Sequence, residues 1–334
     1  MNGIKRGFIG PVLAALLGLA ALTVPHGAAW ADSSAGVLFE QPALDGVDGH
    51  FIVPPAEHKK PEPGAFHIIL WQPNPNRADG MLSPTEWKAG DKTGFYPSAP
   101  LQRHQEAFRD AAGASTVQID GDTVGVYLNS NDLPGGSHKY KMMMTPEMSY
   151  APADQVHPFV QPGRAILVTL DIQIPTAVDA HNNGSETYAS ADLMFVNPGR
   201  GTKISYGCNL FHNGHPRREA DGHIRLDEDS QNMMVNSPVI MGNPWLTVLP
   251  GSASNQSEPW KGWKTYKFAI TEQNFIAALQ AYHDRDPQVS VNPADYAFAK
   301  FHLNAEMHFN SSPTELGWSM RHAKVTVVDA TSLR

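Results

Sequence analysis

Read for its hydrophobic rhythm, the chain alternates with a period of two over much of its C-terminal half. In 165–175, Ile166, Val168, Leu170, Ile172 and Ile174 share one parity, and Thr169, Asp171 and Gln173 take the other. A strand turns successive side chains to opposite faces, so this pattern predicts a strand with one buried side. Residues 188–196 repeat it, with Ala189, Ala191, Leu193 and Phe195 opposed to Tyr188, Ser190 and Asp192. Further strands are expected over 203–211, 264–270, 299–309 and 316–328. In 203–211, Tyr206 and the single cysteine, Cys208, share the apolar parity with Ile204 and Leu210.

One segment keeps a different period. Phe275, Ala278, Leu279 and Tyr282 recur at i, i+3, i+4 and i+7 after Thr271 and Glu272. That spacing predicts one short amphipathic helix over about 271–285, capped by Thr271. A single capped turn is expected at Asn292-Pro293. Upstream, from 32 to 162, clusters such as Pro61-Glu62-Pro63-Gly64 and Pro134-Gly135-Gly136 break the pattern. Strands are expected there at 66–71 and at 116–128, the second divided by a turn at Asp120-Gly121-Asp122, with a helix at 101–112. Many strands, one helix and no βα alternation predict a mainly β fold, an antiparallel β-sandwich or jelly roll. The expected organisation is 1–31 as a signal peptide, 32–162 as an irregular Pro/Gly-rich N-terminal part packed on the core, and 163–334 as the sandwich.

The signal reading rests on Lys5 and Arg6, the apolar stretch from Phe8 to Val24, and Ala29-Trp30-Ala31. A positive flank, an apolar run and small residues at a cleavage site form the secretory pattern. The protein is therefore expected to be secreted or periplasmic, with no membrane association after cleavage. The net charge of −8 falls further once Lys5 and Arg6 leave. An acidic chain without a basic stretch is poorly suited to nucleic acid, whose duplex affinity comes from neutralised phosphates. With Cys208 alone, no intramolecular disulfide can form.

Alternation also locates candidate chemistry. In 301–309, Phe301, Leu303, Ala305, Met307 and Phe309 take the core parity, which lines up His302, Asn304, Glu306 and His308 opposite them. Imidazoles, an amide and a carboxylate offer both donors and acceptors, as the hydroxyls of a sugar require. A glycoside hydrolase needs two carboxylates flanking the scissile bond, and Glu306 with Asp171 or Asp192 is the candidate pair. A polysaccharide lyase needs a base and groups that neutralise a uronate; His302, His308, Asn304, Tyr206 and Arg321 suit it. Gln173 and Trp318 complete the candidate substrate-binding residues. No metal and no cofactor are expected; His212 and His215, three apart beside a glycine, are the zinc-type candidates. Trp245, Trp260 and Trp263 form an aromatic group suited either to a sugar platform or to the core.

The C-terminal succession is a capped helix, Asn292-Pro293-Ala294-Asp295-Tyr296, a strand bearing Glu306, and Gly317-Trp318-Ser319-Met320-Arg321 before a Val-rich strand. Over about residues 260–328 it is similar to the endings of secreted concanavalin-A-like jelly-roll proteins. The resemblance implies the fold and a polysaccharide or oligosaccharide partner. The Glu-x-Asp-x-x-Glu strand of laminarinase-type glucanases is missing, so no catalytic residue carries over. The expected function is an exported polysaccharide-active or polysaccharide-binding protein. The alternatives are a non-catalytic envelope or surface interaction protein and a secreted metal-dependent enzyme.

Overall fold

The computed structural model describes residues 36–42, 52–53, 64, 66–73, 81–82, 88–89, 106–109, 115–130, 140–178, 185–214, 222–226, 232–309 and 314–334. Its strands begin with β1 Val37–Glu40, β2 Ile52–Val53, β3 His67–Pro73, β4 Met81–Leu82, β5 Lys88–Ala89 and β6 Glu106–Arg109. They continue with β7 Ser115–Asp120, β8 Thr123–Asn129, β9 Tyr140–Ser149, β10 Arg164–Val178, β11 Glu186–Val196 and β12 Lys203–Gly214. Then come β13 His223–Leu226, β14 Met233–Pro238, β15 Thr247–Val248 and β16 Trp260–Thr271, followed by helix α1 Glu272–His283. Strands β17 Ala297–Phe309 and β18 Glu315–Asp329 close the chain.

These strands build two sheets. The back sheet runs β15-β16-β10-β18-β8-β7-β6-β5, with β1 on the edge of β18; the front sheet runs β13-β14-β12-β11-β17-β9-β3-β2, with β4 on β3. The back sheet is antiparallel throughout. The front sheet is mixed, because β12 pairs in parallel with β14 and β2 with β3. Fold class and helix are as the periodicity predicts. Thr271 caps α1 through its side chain, which accepts from the Asn274 amide, while the Asn274 side chain returns a bond to the Thr271 amide. That capping box satisfies two amides the helix start would otherwise leave unpaired.

The core lies between the sheets. Ile166, Val168, Leu170, Ile172 and Ile174 of β10 face Leu193, Phe195, Phe301 and Leu303 of the front sheet within one continuous buried cluster. Phe39 of β1 and Phe301 of β17 meet across the gap with ring centroids 4.4 Å apart. Phe275 of α1 inserts among Phe159, Phe195, Tyr206 and Tyr296, closing one end of the sandwich. A fully buried aromatic of this kind contributes roughly 2–3 kcal/mol through area removed from water.

Two expectations for the N-terminal part need correcting. The helix over 101–112 gives way to β6 at Glu106–Arg109, which pairs with β7 and so satisfies its backbone groups across a hairpin. Residues before 162 also do more than pack on the sandwich: β8 pairs with β18 and β9 with β17, inside the two sheets. Residues 33–334 form one compact unit. The turn at Asp120-Gly121-Asp122 is as expected, with Gly121 at φ 60° in the left-handed region that glycine tolerates. The expected signal peptide lies outside the described residues.

Candidate functional site

An antiparallel sheet in a sandwich ordinarily buries one face and exposes the other. The middle of the front sheet buries both. Along β11, Ser190 and Asp192 point away from the core yet are buried, and β12 is buried continuously from Ile204 to Asn213. The outward parity of this sheet therefore forms a sheltered polar floor, and alternation assigns its residues strand by strand.

Register assembles them into rows perpendicular to the strands, each row two residues from the next, or about 6.6 Å. The first row reads His223, Asn236, Gly207, Asp192, His302, Glu147, His67 across β13, β14, β12, β11, β17, β9 and β3. The second holds Asn209, Ser190 and Asn304, and the pairing of β17 with β9 brings Thr145 beside Asn304. The third holds His212, Tyr188 and Glu306, and the fourth brings Glu186 to His308.

Hydrogen bonds tie these rows together. His302 Nε2 donates to Asp192 Oδ2 at 2.9 Å, and Asn304 Nδ2 donates to Glu306 Oε2 at 2.8 Å. His308 bridges two carboxylates, with Nε2 2.5 Å from Glu306 Oε1 and Nδ1 3.1 Å from Glu186 Oε1. His212 Nε2 lies 3.2 Å from the other Glu186 oxygen. At the far end of the first row, Glu147 takes Lys300 Nζ at 2.8 Å and His67 Nε2 at 3.0 Å.

The protonation pattern follows from these contacts. Burial alone would lower the pKa of His308, but its bonds to Glu186 and Glu306 and their charges outweigh that and push it up to about 9. An imidazole that donates from both nitrogens is an imidazolium. Burial would raise Glu186 and Glu147. The bonds from His212 and His308 to Glu186, and from His67 together with the charge of Lys300 to Glu147, hold each carboxyl at about 2 instead.

Several polar atoms on the floor are left over. Asp192 Oδ1, His302 Nδ1, Asn304 Oδ1 and Thr145 Oγ1 are buried and find no hydrogen-bond partner among the described residues. Buried polar groups are nearly always satisfied, so four adjacent exceptions on one face set this floor apart.

The structure thus gathers His302, Asn304, Glu306, His308 and Asp192 on one floor, and places the other candidates elsewhere. Asp171 lies on the opposite side of the sandwich, on the outer face of the back sheet, bonded to Thr265, Arg321 and His322. Gln173 shares that strand and parity in β10. Arg321 stacks over Trp263, 4.2 Å from the ring centroid. Tyr206 and Trp318 are fully buried in the core, where the Tyr206 hydroxyl donates to the Trp245 carbonyl at 2.6 Å. The candidate pair of Glu306 with Asp171 is therefore divided by the whole sandwich. Glu306 with Asp192 fails on distance: Asp192 pairs with His302, four residues along β17 from Glu306, a separation of about 13 Å. For the metal candidate, His212 is turned to Glu186 and His215 lies outside the described residues. No group of three or more His, Cys, Asp or Glu side chains converges to hold an ion among the described residues.

Sequence reading missed Glu186, Glu147, Lys300 and His67. Glu186 has the parity of Tyr188 and Asp192 and needed only a strand begun two residues earlier. Glu147 follows Met142-Met143-Met144, a run without alternation, and offered no such signal.

No protein-family model and no curated protein matches the sequence. Among solved structures, the chain is similar to a family 12 xyloglucanase from Bacillus licheniformis (12% identity, TM-score 0.34, covering 72% of this chain and 99% of that one). It is also similar to a loop-swap mutant of Necallimastix patriciarum Xyn11A (9%, 0.32, 72% and 94%). A third is the xyloglucanase domain of NopAA, a type three effector from Sinorhizobium fredii, in complex with cellobiose (9%, 0.30, 73% and 99%). At such identities and scores no residue role transfers, and the functional reading rests on this chain's own side chains.

Proposed function

We propose that the protein is exported and binds a polysaccharide along the outer floor of the front sheet, with glycoside hydrolysis as its chemistry. The observation that carries the reading is the set of buried, unpartnered polar atoms on Asp192, His302, Asn304 and Thr145. A saccharide brings many hydroxyls, each able to donate and accept, and fits such a floor better than an apolar ligand does. The three solved structures named above, two of them xyloglucanases, agree with the reading and add no weight to it.

The state of His308 argues against its service as a lyase base. A lyase base must accept a proton, and an imidazole held protonated to about pH 9 between two carboxylates has none of that capacity at neutral pH. The carboxylate pair that this geometry supports is Glu306 with Glu186, on opposite edges of the His308 ring. Glu186, held near pKa 2, suits the ionised role of such a pair.

The test is a polysaccharide panel read for new reducing ends and, separately, for unsaturated products. New reducing ends lost by more than about a hundredfold in both Glu306→Gln and Glu186→Gln are the expected result. Unsaturated products, or full turnover in either variant, would overturn the hydrolase assignment.

A further inference from the structure

On the side of the first row away from the second, the front sheet continues toward the end that Phe275 of α1 closes, and there its outward charge changes sign. The next row reads Arg225, Met234, Ser205, Met194, Lys300 across β13, β14, β12, β11 and β17. The row after it sets Lys203 of β12 beside Val196 of β11. These positions keep the outward parity of His223, Asn236, Asp192 and His302, and none of them is a carboxylate. Arg225 and Lys203 are exposed, and neither forms a salt bridge or a side-chain hydrogen bond among the described residues. Lys300 is bonded to Glu147 at 2.8 Å, yet its side chain is 23% exposed against 6% for Glu147, so the ammonium is the member of that pair a ligand meets. Strand and row spacings place the backbones of Arg225, Lys203 and Lys300 about 12 Å apart in succession. The three are spread along the path of a chain crossing the strands rather than ringed about one small ion.

We propose that the polysaccharide taken by this sheet is acidic, and that Arg225, Lys203 and Lys300 receive its carboxylate or sulfate groups. This inference rests on the polysaccharide reading and narrows it. A neutral polymer gains nothing from Arg225 and Lys203, whose charges it leaves hydrated. An anionic group within reach accepts charge-assisted hydrogen bonds from either, and a chain lying across the sheet displaces water from beside them. The net charge of −8 opposes this only weakly, because charges farther than about 8–10 Å are screened at physiological salt. The carboxylates of the adjoining row, Glu147 and Asp192, are buried and already bonded to Lys300 and His302. Complementarity is therefore set by the exposed cations closest to the ligand, and it favours an anionic partner.

The experiment measures equilibrium binding of the purified protein to immobilised polymers of three kinds. These are uronates (polygalacturonate and alginate), a sulfated galactan, and neutral polymers (methyl-esterified polygalacturonate, xylan and glucan). The double variant Lys203→Gln with Arg225→Gln accompanies the unaltered chain; both residues are exposed, so the change removes no buried contact. Lys261→Gln with Lys267→Gln, two exposed lysines of β16 in the other sheet, controls for attraction to charge at large. An acidic polymer is expected to bind at least about tenfold more tightly than every neutral one, with an advantage that shrinks between about 50 and 200 mM salt. The first double variant is expected to lose at least about fivefold in that affinity, and the second to keep it. Tighter binding of the uronates or of the sulfated polymer names the anion. Neutral polymers bound as tightly as acidic ones would overturn the acidic subsite and leave the polysaccharide reading standing. A preference undiminished in the first variant, or lost equally in the second, would overturn it as well, by placing its source outside these rows. Absence of binding to every polymer would count against both readings.

Discussion

The outer faces of the two sheets carry the same ingredients and put them to different use. On the front sheet, Glu147 holds Lys300 and His67, and His308 lies between Glu186 and Glu306. On the back sheet, Asp171 holds Arg321 and His322, and His322 also reaches Asp122 at 2.8 Å. Shelter separates them. The Glu306 and Glu147 side chains are 2% and 6% exposed, whereas those of His322 and Asp122 are 59% and 48% exposed. Water competes for the His322 and Asp122 bonds of the second cluster and screens their charges; in the first, Glu306 and Glu147 are sheltered while His308 is 40% exposed, so the bonds at the two buried carboxylates are stronger. A ligand can gain selectivity only where water has been removed, which is why the candidate site belongs to the front sheet.

The most direct way to break this comparison is to remove the anchoring carboxylate from each face. Glu147→Ala leaves Lys300 and His67 without their counter-charge in a sheltered row and is expected to cost about 3 kcal/mol of unfolding free energy. Asp171→Ala removes a carboxylate whose partners Arg321 and His322 are 33% and 59% exposed and should cost under about 1 kcal/mol, with a visible dependence on salt. Chemical denaturation of both variants checks the pair. Equal losses would show that shelter does not set the energetics.

That contrast also marks how far the sequence could be read. Period-two alternation placed His302, Asn304, Glu306 and His308 on one face of β17, because a strand's parity is a local property of the backbone. The same rule put Tyr206 on the core side of β12. Parity says nothing about which sheet a strand joins, and for that reason Asp171 and Gln173 of β10 looked equivalent to Asp192 of β11. The partners that give the floor its chemistry come from pairings far apart in sequence. Glu147 meets Lys300 across 153 residues and Asp192 meets His302 across 110. Such registers follow from the packing of the whole sandwich. Gly207 was visible only as the outward residue between Tyr206 and Cys208; its place between Asn236 and Asp192 comes from the register of three strands.

A smaller effect sharpens the comparison through pH. Glu186 is depressed from its ordinary 4.5 to about 2, so its contribution is present above about 4.5 and is lost as pH falls toward 2. His308 is raised from 6.5 to about 9, so its contribution is full below about 6.5 and is lost as pH rises through 9. Together they define a window between about 4.5 and 6.5 in which the bridge is fully formed. Thermal melts of the unaltered chain and of His308→Ala should differ most inside that window and converge on both sides of it. A gap that stays constant from pH 4 to pH 10 would show that the bridge is energetically silent, like the exposed cluster.

The smallest expected effect concerns His322, the one described non-glycine residue with a left-handed backbone, at φ 55°. It sits where β18 carries an extra residue against β10: Thr169 pairs with Lys324 and Asp171 with Arg321, so one residue of β10 faces two of β18. This is a bulge, and a bulged position with positive φ ordinarily favours glycine. Its backbone strain costs about 1 kcal/mol, and its two exposed ion pairs return a comparable amount. His322→Gly removes strain and pairs together and should shift stability by less than about 0.5 kcal/mol in either direction. His322→Ala keeps the strain while losing the pairs, and is expected to be less stable than His322→Gly by up to about 1 kcal/mol. Urea denaturation of the two variants side by side decides the matter. If alanine proves at least as stable as glycine, strain is not what the Asp122 and Asp171 contacts offset. The back-sheet cluster would then have gained energy of its own, and the contrast with the front sheet would narrow.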